Sequence, residues 1–122
     1  MRDFLNMTKA LSDESRVRIL LSLRGKELCL CQMVAMLGLA SSTVSKHLSI
    51  LHQANLVHVR KEGRWRYYRL PDNGAPRNIA DCLKWMKASL TKDETVAEDA
   101  KKLNEILKTP VEEFCKTLNQ CR

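Results

Sequence analysis

Cys29 and Cys31 stand one residue apart within the stretch Glu27-Leu28-Cys29-Leu30-Cys31. Thiolates are preferred ligands of soft, thiophilic ions, and a helix N-terminus beside Lys or Arg lowers a cysteine's pKa toward the reactive range. A pair so spaced can grip one ion. Trivalent arsenic or antimony suits it, because three sulfurs at most complete a trigonal pyramid and two suffice where solvent or a substituent supplies the third ligand. The bland alternative is a pair of small buried apolar residues, which cysteine often is. Of the other thiols, Cys82 falls in an apolar stripe and reads as core. Cys115 and Cys121 lie six residues apart, about 240° around an ideal helix, so they converge only if that end unwinds. A persulfide or redox sensor needs two accessible low-pKa thiols that become linked. Cys-x-Cys is poor geometry for a direct disulfide, so such a sensor requires a distant partner such as Cys115. Catalysis is the reading from another class, but no general base, oxyanion donors or Cys-x-x-Cys accompanies the pair, so the chain is not expected to be an enzyme.

The elements that must position the pair follow at once. From Gln32 to Gly38 the apolar residues Met33, Val34, Met36 and Leu37 mark one buried face of a short helix, with the cysteines at its entrance and Gly38 ending it. Ser41 or Ser42 is positioned to cap a second helix whose apolar residues Val44, Leu48 and Leu51 face inward. Its other face carries Ser41, Ser42, Thr43, Ser45 and Lys46, short hydroxyls and one cation that fit close to phosphates and base edges at a helix N-terminus. His47 reads as a packing or phosphate-contacting residue, His52 and His58 as surface. A hairpin comes next: Leu56, Val57 and Val59 lead up, Lys61-Glu62-Gly63-Arg64 turns, and Trp65, Tyr67, Tyr68 and Leu70 lead back. Arg60, Lys61, Arg64, Arg66 and Arg69 crowd around a single glutamate, so the tip concentrates positive charge. A helix-turn-helix followed by a basic hairpin is a winged helix-turn-helix, mainly α with a small β wing, and residues 27–70 form its reader.

The rest of the chain supports that reader. Phe4, Met7, Leu11, Val17, Leu20, Leu21 and Leu23 predict two helices broken near Ser12-Asp13, with Arg16, Arg18 and Arg24 on a solvated face. Glu27-Leu28-Cys29 has the length of a strand able to pair with the wing. After the turn-rich segment Pro71–Pro76, Ile79, Cys82, Leu83, Trp85 and Met86 form an apolar stripe on a helix over 77–90 that needs a partner. Val96, Ala100, Leu103 and Leu107 predict an amphipathic helix that Pro110 ends or restarts, with Phe114, Cys115 and Leu118 on a short final turn. The organisation is thus a DNA-binding and dimerisation domain over 1–90 and a helical extension over 91–122. At 122 residues there is no room for a second catalytic domain. The formal charge is +7, and residues 1–90 hold 15 Lys and Arg against 7 Asp and Glu, so the basic character belongs to the helix-turn-helix half. No run of 18 apolar residues and no signal peptide appears. A cytoplasmic protein with no membrane partner is expected, and its five cysteines are thiols more naturally than a disulfide framework.

On ALSDESRVRILLSL at Ala10–Leu23, ELCLC at Glu27–Cys31, STVSKHLSIL at Ser42–Leu51 and ANLVHVRKEGRWRYYRL at Ala54–Leu70, the chain resembles the ArsR/SmtB family of metal- and metalloid-responsive repressors, most closely its arsenic-responsive members. The resemblance implies a homodimer, its N-terminal and C-terminal helices paired across a two-fold axis, on an inverted-repeat operator in double-stranded DNA. Ser41, Ser42, Thr43, Ser45, Lys46 and His47 would then approach the major groove, and Arg60, Lys61, Arg64 and Arg66 the flanking backbone or minor groove. No cofactor is needed for DNA binding. The implied inducer is As(III), Sb(III) or a methylated As(III) at Cys29 and Cys31, with release from the operator of a metalloid-resistance operon. In arsenic-responsive relatives a third cysteine often follows three residues on, where this chain has Val34. That leaves a two-thiolate site, a third thiol from elsewhere in the dimer, or a ligand needing two sulfurs. Some relatives carry a thiol site near the C-terminus, which makes Cys115 and Cys121 possible additional thiols. The zinc-type site of relatives needs histidines that 77–90 lacks, and cadmium- and lead-type sites add cysteines that are missing before Cys29. A persulfide, redox or soft-metal sensor on the same fold is the alternative.

Overall fold

The computed structural model describes residues 1–72, 74–111 and 113. Its elements run α1 (Arg2–Ala10), α2 (Glu14–Ser22), β1 (Leu28–Cys29), α3 (Leu30–Leu37), α4 (Ser41–Gln53), β2 (His58–Glu62), β3 (Trp65–Arg69), α5 (Arg77–Ser89) and α6 (Glu94–Ile106). The break between α1 and α2 falls where the sequence places it, because the Asp13 carboxylate accepts from the Arg16 amide and caps α2. Gly38 ends α3 in the left-handed region at φ +69, the conformation that turns the chain toward α4.

The hairpin pairs His58 with Arg69 through to Glu62 with Trp65, leaving Gly63 and Arg64 as its two-residue tip. Lys61 and Glu62, expected in the turn, are strand residues instead. Gly63 takes φ +60, and this short turn keeps the twist of the flanking strands. The predicted strand before the cysteines forms: Leu28 opposes Tyr68 and Cys29 opposes Tyr67, so the sheet order is β1-β3-β2. This pairing fixes Cys29 against the wing.

Ile19, Leu20, Leu23, Leu28, Met33, Met36, Val44, Leu48, Leu51 and Leu56 fill the core, and Leu103 of α6 joins them at 1% exposure. Helix α6 packs on α2 and α3, so residues 94–106 are part of the winged unit and not an appendage to it. The anchor is a two-pronged ion pair in which Arg18 donates to Asp99 at 2.8 Å through both Nε and Nη2. This corrects the expectation of a solvated arginine face on α2: Arg18 and Asp99 are both largely buried, and Arg16 is also engaged, as described below. In α5, Ile79, Cys82 and Met86 are buried in the main core while Trp85 is 66% exposed. Phe4 and Leu5 of α1 are similarly exposed. Phe114, Cys115 and Leu118, expected on a short final turn, and Cys121, a possible additional thiol, lie outside the described residues. Among the described residues no single helix is long and apolar enough to cross a membrane.

Candidate functional site

The polar face expected to approach DNA lies on α4. Val44, Leu48 and Leu51 are buried and Ser42, Thr43, Ser45 and Lys46 are exposed, as a 3.6-residue period demands. The N-cap is Ala40, at φ −62 and ψ 147, rather than Ser41 or Ser42. The Ala40 carbonyl accepts from the amides of Thr43 and Val44, which starts the helix one residue sooner than the serines suggest. Freed from capping, the Ser42 hydroxyl stays on the exposed face. Beside it a notch is lined by Arg16, Ser42, Thr43, Lys46, His47 and Ile50.

Arg16 is held within that notch. Its guanidinium donates to the Ala10 carbonyl at 2.9 Å and the Lys9 carbonyl at 3.1 Å, and approaches His47 Nδ1 at 3.1 Å. The side chain therefore ties the end of α1 to α4, and His47 is a packing residue at the same time as it borders the notch.

Between α4 and the wing lies a groove of about 370 Å³ lined by Leu30, Ser45, Lys61, Gly63, Arg64, Arg66 and Tyr68. Lys61, Arg64 and Arg66 project their charge here, with the Arg64 guanidinium 5.6 Å from the centre of the Trp65 ring. Arg60 does not share this role. It donates to Glu27 at 2.8 Å and Glu62 at 2.7 Å and lies 4.5 Å over the Tyr67 ring, and these partners, the carboxylates first, raise its pKa. Its charge is balanced within the wing, so of the four wing cations singled out in the sequence it offers the least field to an outside anion.

The thiol pair sits behind the same sheet. The sulfurs of Cys29 and Cys31 are 2.7 Å apart and both residues are fully buried. They form a small cluster of their own, separate from the main core, covered by Leu30, Trp65, Tyr67 and Val111. Cys29 is the N-cap residue of α3, and Gln32 Oε1 accepts from its amide at 2.9 Å. Gln32 is a site residue that thiol counting misses, although a polar residue three positions after a cap is the capping-box spacing.

The pKa expectation is corrected. Burial pushes the Cys29 thiol up, and hydrogen bonds from the backbone at Gln32, Cys31 and Cys29 itself only partly oppose it. Desolvation is the larger effect, since the pair is packed among Leu30, Trp65, Tyr67 and Val111. Cys31 is disulfide-bonded, while Cys82 is a free thiol. Cys82 belongs to the main core and not to the cluster of the pair. Among the described residues no three His, Cys, Asp or Glu side chains converge as a metal site. Val34, at the position of the missing third cysteine, packs into the main core.

Residues 13–59 match the family model described as "Bacterial regulatory protein, arsR family". The chain is 42% identical over 77 residues to the "Transcriptional repressor SmtB homolog" of Synechocystis sp., covering 61% of this chain and 58% of that protein. It is 38% identical over 74 residues to the "Arsenical resistance operon repressor" of Bacillus subtilis, covering 59% and 70% respectively. In structure it is similar to HlyU from Vibrio cholerae, at a TM-score of 0.64 and 25% identity over 75% of this chain and 95% of that one. The matched segment holds α2 through the start of the wing, and with seven-tenths of the Bacillus subtilis relative covered at 38% identity the chain belongs to the ArsR family of regulatory proteins.

Proposed function

We propose that the protein is a homodimeric transcriptional repressor that binds an inverted-repeat DNA site when its thiols are free and leaves it when a trivalent arsenical occupies Cys29 and Cys31. The observation that carries this reading is the juxtaposition of one exposed hydroxyl and cation face on α4 with a sulfur pair at the entrance of α3, the helix packed directly against it. The printed name of the Bacillus subtilis relative, an arsenical resistance operon repressor, agrees. The exposed Phe4, Leu5 and Trp85 supply apolar surface for a second copy, and two-fold symmetry in the protein answers two-fold symmetry in the operator. The reading contains no catalytic step, and the work is done in the cytoplasm, where the DNA is.

Induction acts through the start of α3. A ligand that pulls the two sulfurs onto itself shifts Cys29, which is at once a residue of β1, the N-cap of α3 and the neighbour of Tyr67 in the wing. Moving it therefore disturbs both arms of the reader. A coupling of about 3 kcal/mol lowers DNA affinity roughly a hundredfold, enough to vacate a promoter.

Fluorescence anisotropy of the reduced protein on its own upstream DNA, titrated with arsenite, a methylated trivalent arsenical, cadmium and a persulfide donor, tests the reading. Release by a trivalent arsenical that Cys29→Ser abolishes is the expected result, and no DNA binding at all would refute it. Arg64→Ala should weaken operator and random DNA alike and flatten the salt dependence by about one counterion. Thr43→Ala should in addition reduce the preference for operator; equal losses on both DNAs would remove Thr43 from base reading. A thiol-redox repressor is the second reading, favoured by the disulfide at Cys31; release by the persulfide donor alone would select it.

A further inference from the structure

Helices α2 and α6 wall a cavity of about 280 Å³ that Arg24, Lys26 and, from α5, Lys87 complete. With Arg18 these make four cations around one carboxylate, Asp99. Both Asp99 oxygens are taken by Arg18 at 2.8 Å, so that pair is neutral. Among the described residues no carboxylate lies within ion-pair distance of the other three cations. Like charges gathered around one space repel, and an anion placed among them removes that repulsion. Arg24 is oriented for one, because its Nε donates to the Leu21 carbonyl at 3.0 Å, which fixes the side chain and leaves its terminal nitrogens for a ligand. A second cavity, of about 350 Å³, shares Leu21, Arg24 and Lys87 with the first and is otherwise walled largely by Leu20, Leu70, Leu83 and Met86. The two meet at a cationic rim, one charged and the other apolar. Sites for small organic molecules are built in this way, mostly apolar with a few placed polar groups. Leu83 and Lys87 each stand two positions from the exposed Trp85 in α5, about 200° around the helix. A second copy seated on Trp85 therefore leaves both clear.

We infer that the paired cavities are a binding site for a small amphipathic organic anion, its carboxylate, sulfonate or phosphate head among Arg24, Lys26 and Lys87 and its apolar body against Leu20, Leu83 and Met86. No thiol takes part, so the site is independent of the arsenical reading. The head exchanges water for charge-assisted hydrogen bonds from one guanidinium and two ammonium groups, and no covalent step occurs. The Arg18–Asp99 pair is a neutral wall that holds α6 in place beside the head. A neutral molecule of the same shape gains only the apolar half of the site. Because the cations come from α5 and from the link that follows α2, an occupied site ties α5 to the α2–α6 unit, and the thermal midpoint rises with ligand concentration.

The probe is anilinonaphthalenesulfonate, an aryl sulfonate, set against N-phenylnaphthylamine, the same framework without its charge. Each is titrated into the full chain and followed by dye fluorescence and by amide chemical shifts. The sulfonate should saturate at one dye per protomer and move the resonances of Leu21, Arg24, Lys87 and Ala100, and the neutral dye should bind about tenfold or more weakly, as expected where a charge-assisted hydrogen bond is lost. Arg24→Gln and Lys87→Gln should each weaken the sulfonate by about the same factor. Lys102→Gln, which removes a cation of α6 outside both cavities, should leave its affinity unchanged. Without dye, the thermal midpoints of Arg24→Gln and Lys87→Gln should be no lower than that of the wild type, which certifies their fold. Resonances moving at Phe4, Leu5 and Trp85 instead would seat the dye on the exposed apolar surface and overturn the site, a result the wild-type protein gives even if a variant fails to fold. An equal loss in Lys102→Gln, or equal affinity for the neutral dye, overturns the role of the three cations.

Discussion

Burial keeps the proton on Cys29, and the consequence depends on what binds there. Arsenite consumes thiol protons as water, so its affinity should stay level with pH while the thiol is protonated and fall only above the raised pKa. A divalent metal must expel those protons, so cadmium affinity should climb by about tenfold per pH unit for each proton released. Competition titrations at several pH values from mildly acidic to mildly alkaline check this: a cadmium affinity that is flat with pH beside an arsenite affinity that falls as pH rises would show that Cys29 is already ionised. At the same site Gln32→Ala removes the acceptor of the buried Cys29 amide. An orphaned buried donor costs about 1–3 kcal/mol, to be seen as a lowered denaturation midpoint. Arg60 shows the limit of reading charge from sequence, since five basic residues in the wing look equivalent until Glu27, thirty-three residues earlier, is found against one of them.

Among the elements, α3 and α4 are fixed by a turn with little slack. Gly38 sits at φ +69 with open space where a Cβ would be, so Gly38→Ala should cost only the left-handed backbone penalty, about 1 kcal/mol. Chemical denaturation should show that loss, and a much larger one would mean the turn also moves its neighbours. The two helices and the hairpin were legible because each keeps its own period: Val44, Leu48 and Leu51 for α4, alternating residues for the wing. The cap of α4 was not, because Ala40 wins through backbone geometry where serines stand next to it. Arg16 was equally hidden, since its acceptors are carbonyls of Lys9 and Ala10, and carbonyls carry no side-chain signal.

Across the whole molecule α6 is held by Arg18 and Asp99, partners 81 positions apart. Hydrogen bonding to Asp99, ahead of the opposing burial, raises the Arg18 pKa. Asp99→Ala leaves a largely buried guanidinium unpaired and should destabilise by about 3 kcal/mol, read as a drop in thermal midpoint. Loss of α6 from α2 should also loosen the cover that Val111 gives the thiol pair, so faster alkylation of Cys29 in that variant is expected. If Asp99→Ala leaves the midpoint unchanged, α6 is held by Leu103 and its neighbours instead.

By itself the sequence determined the local devices: the capped break near Asp13, the short strand before the cysteines, the turn at Gly38, the basic hairpin, and two cysteines one residue apart at the entrance of a helix. Those features are set by interactions within a few residues, and residue type at fixed spacing records them. Tertiary structure alone decided that α6 belongs to the core, that Arg60 is spent inside the wing, that burial leaves Cys29 protonated, and that Val111 closes over the cysteines. Each of these joins residues distant in the chain or depends on how much water a side chain keeps, and neither quantity is written in the spacing of neighbours.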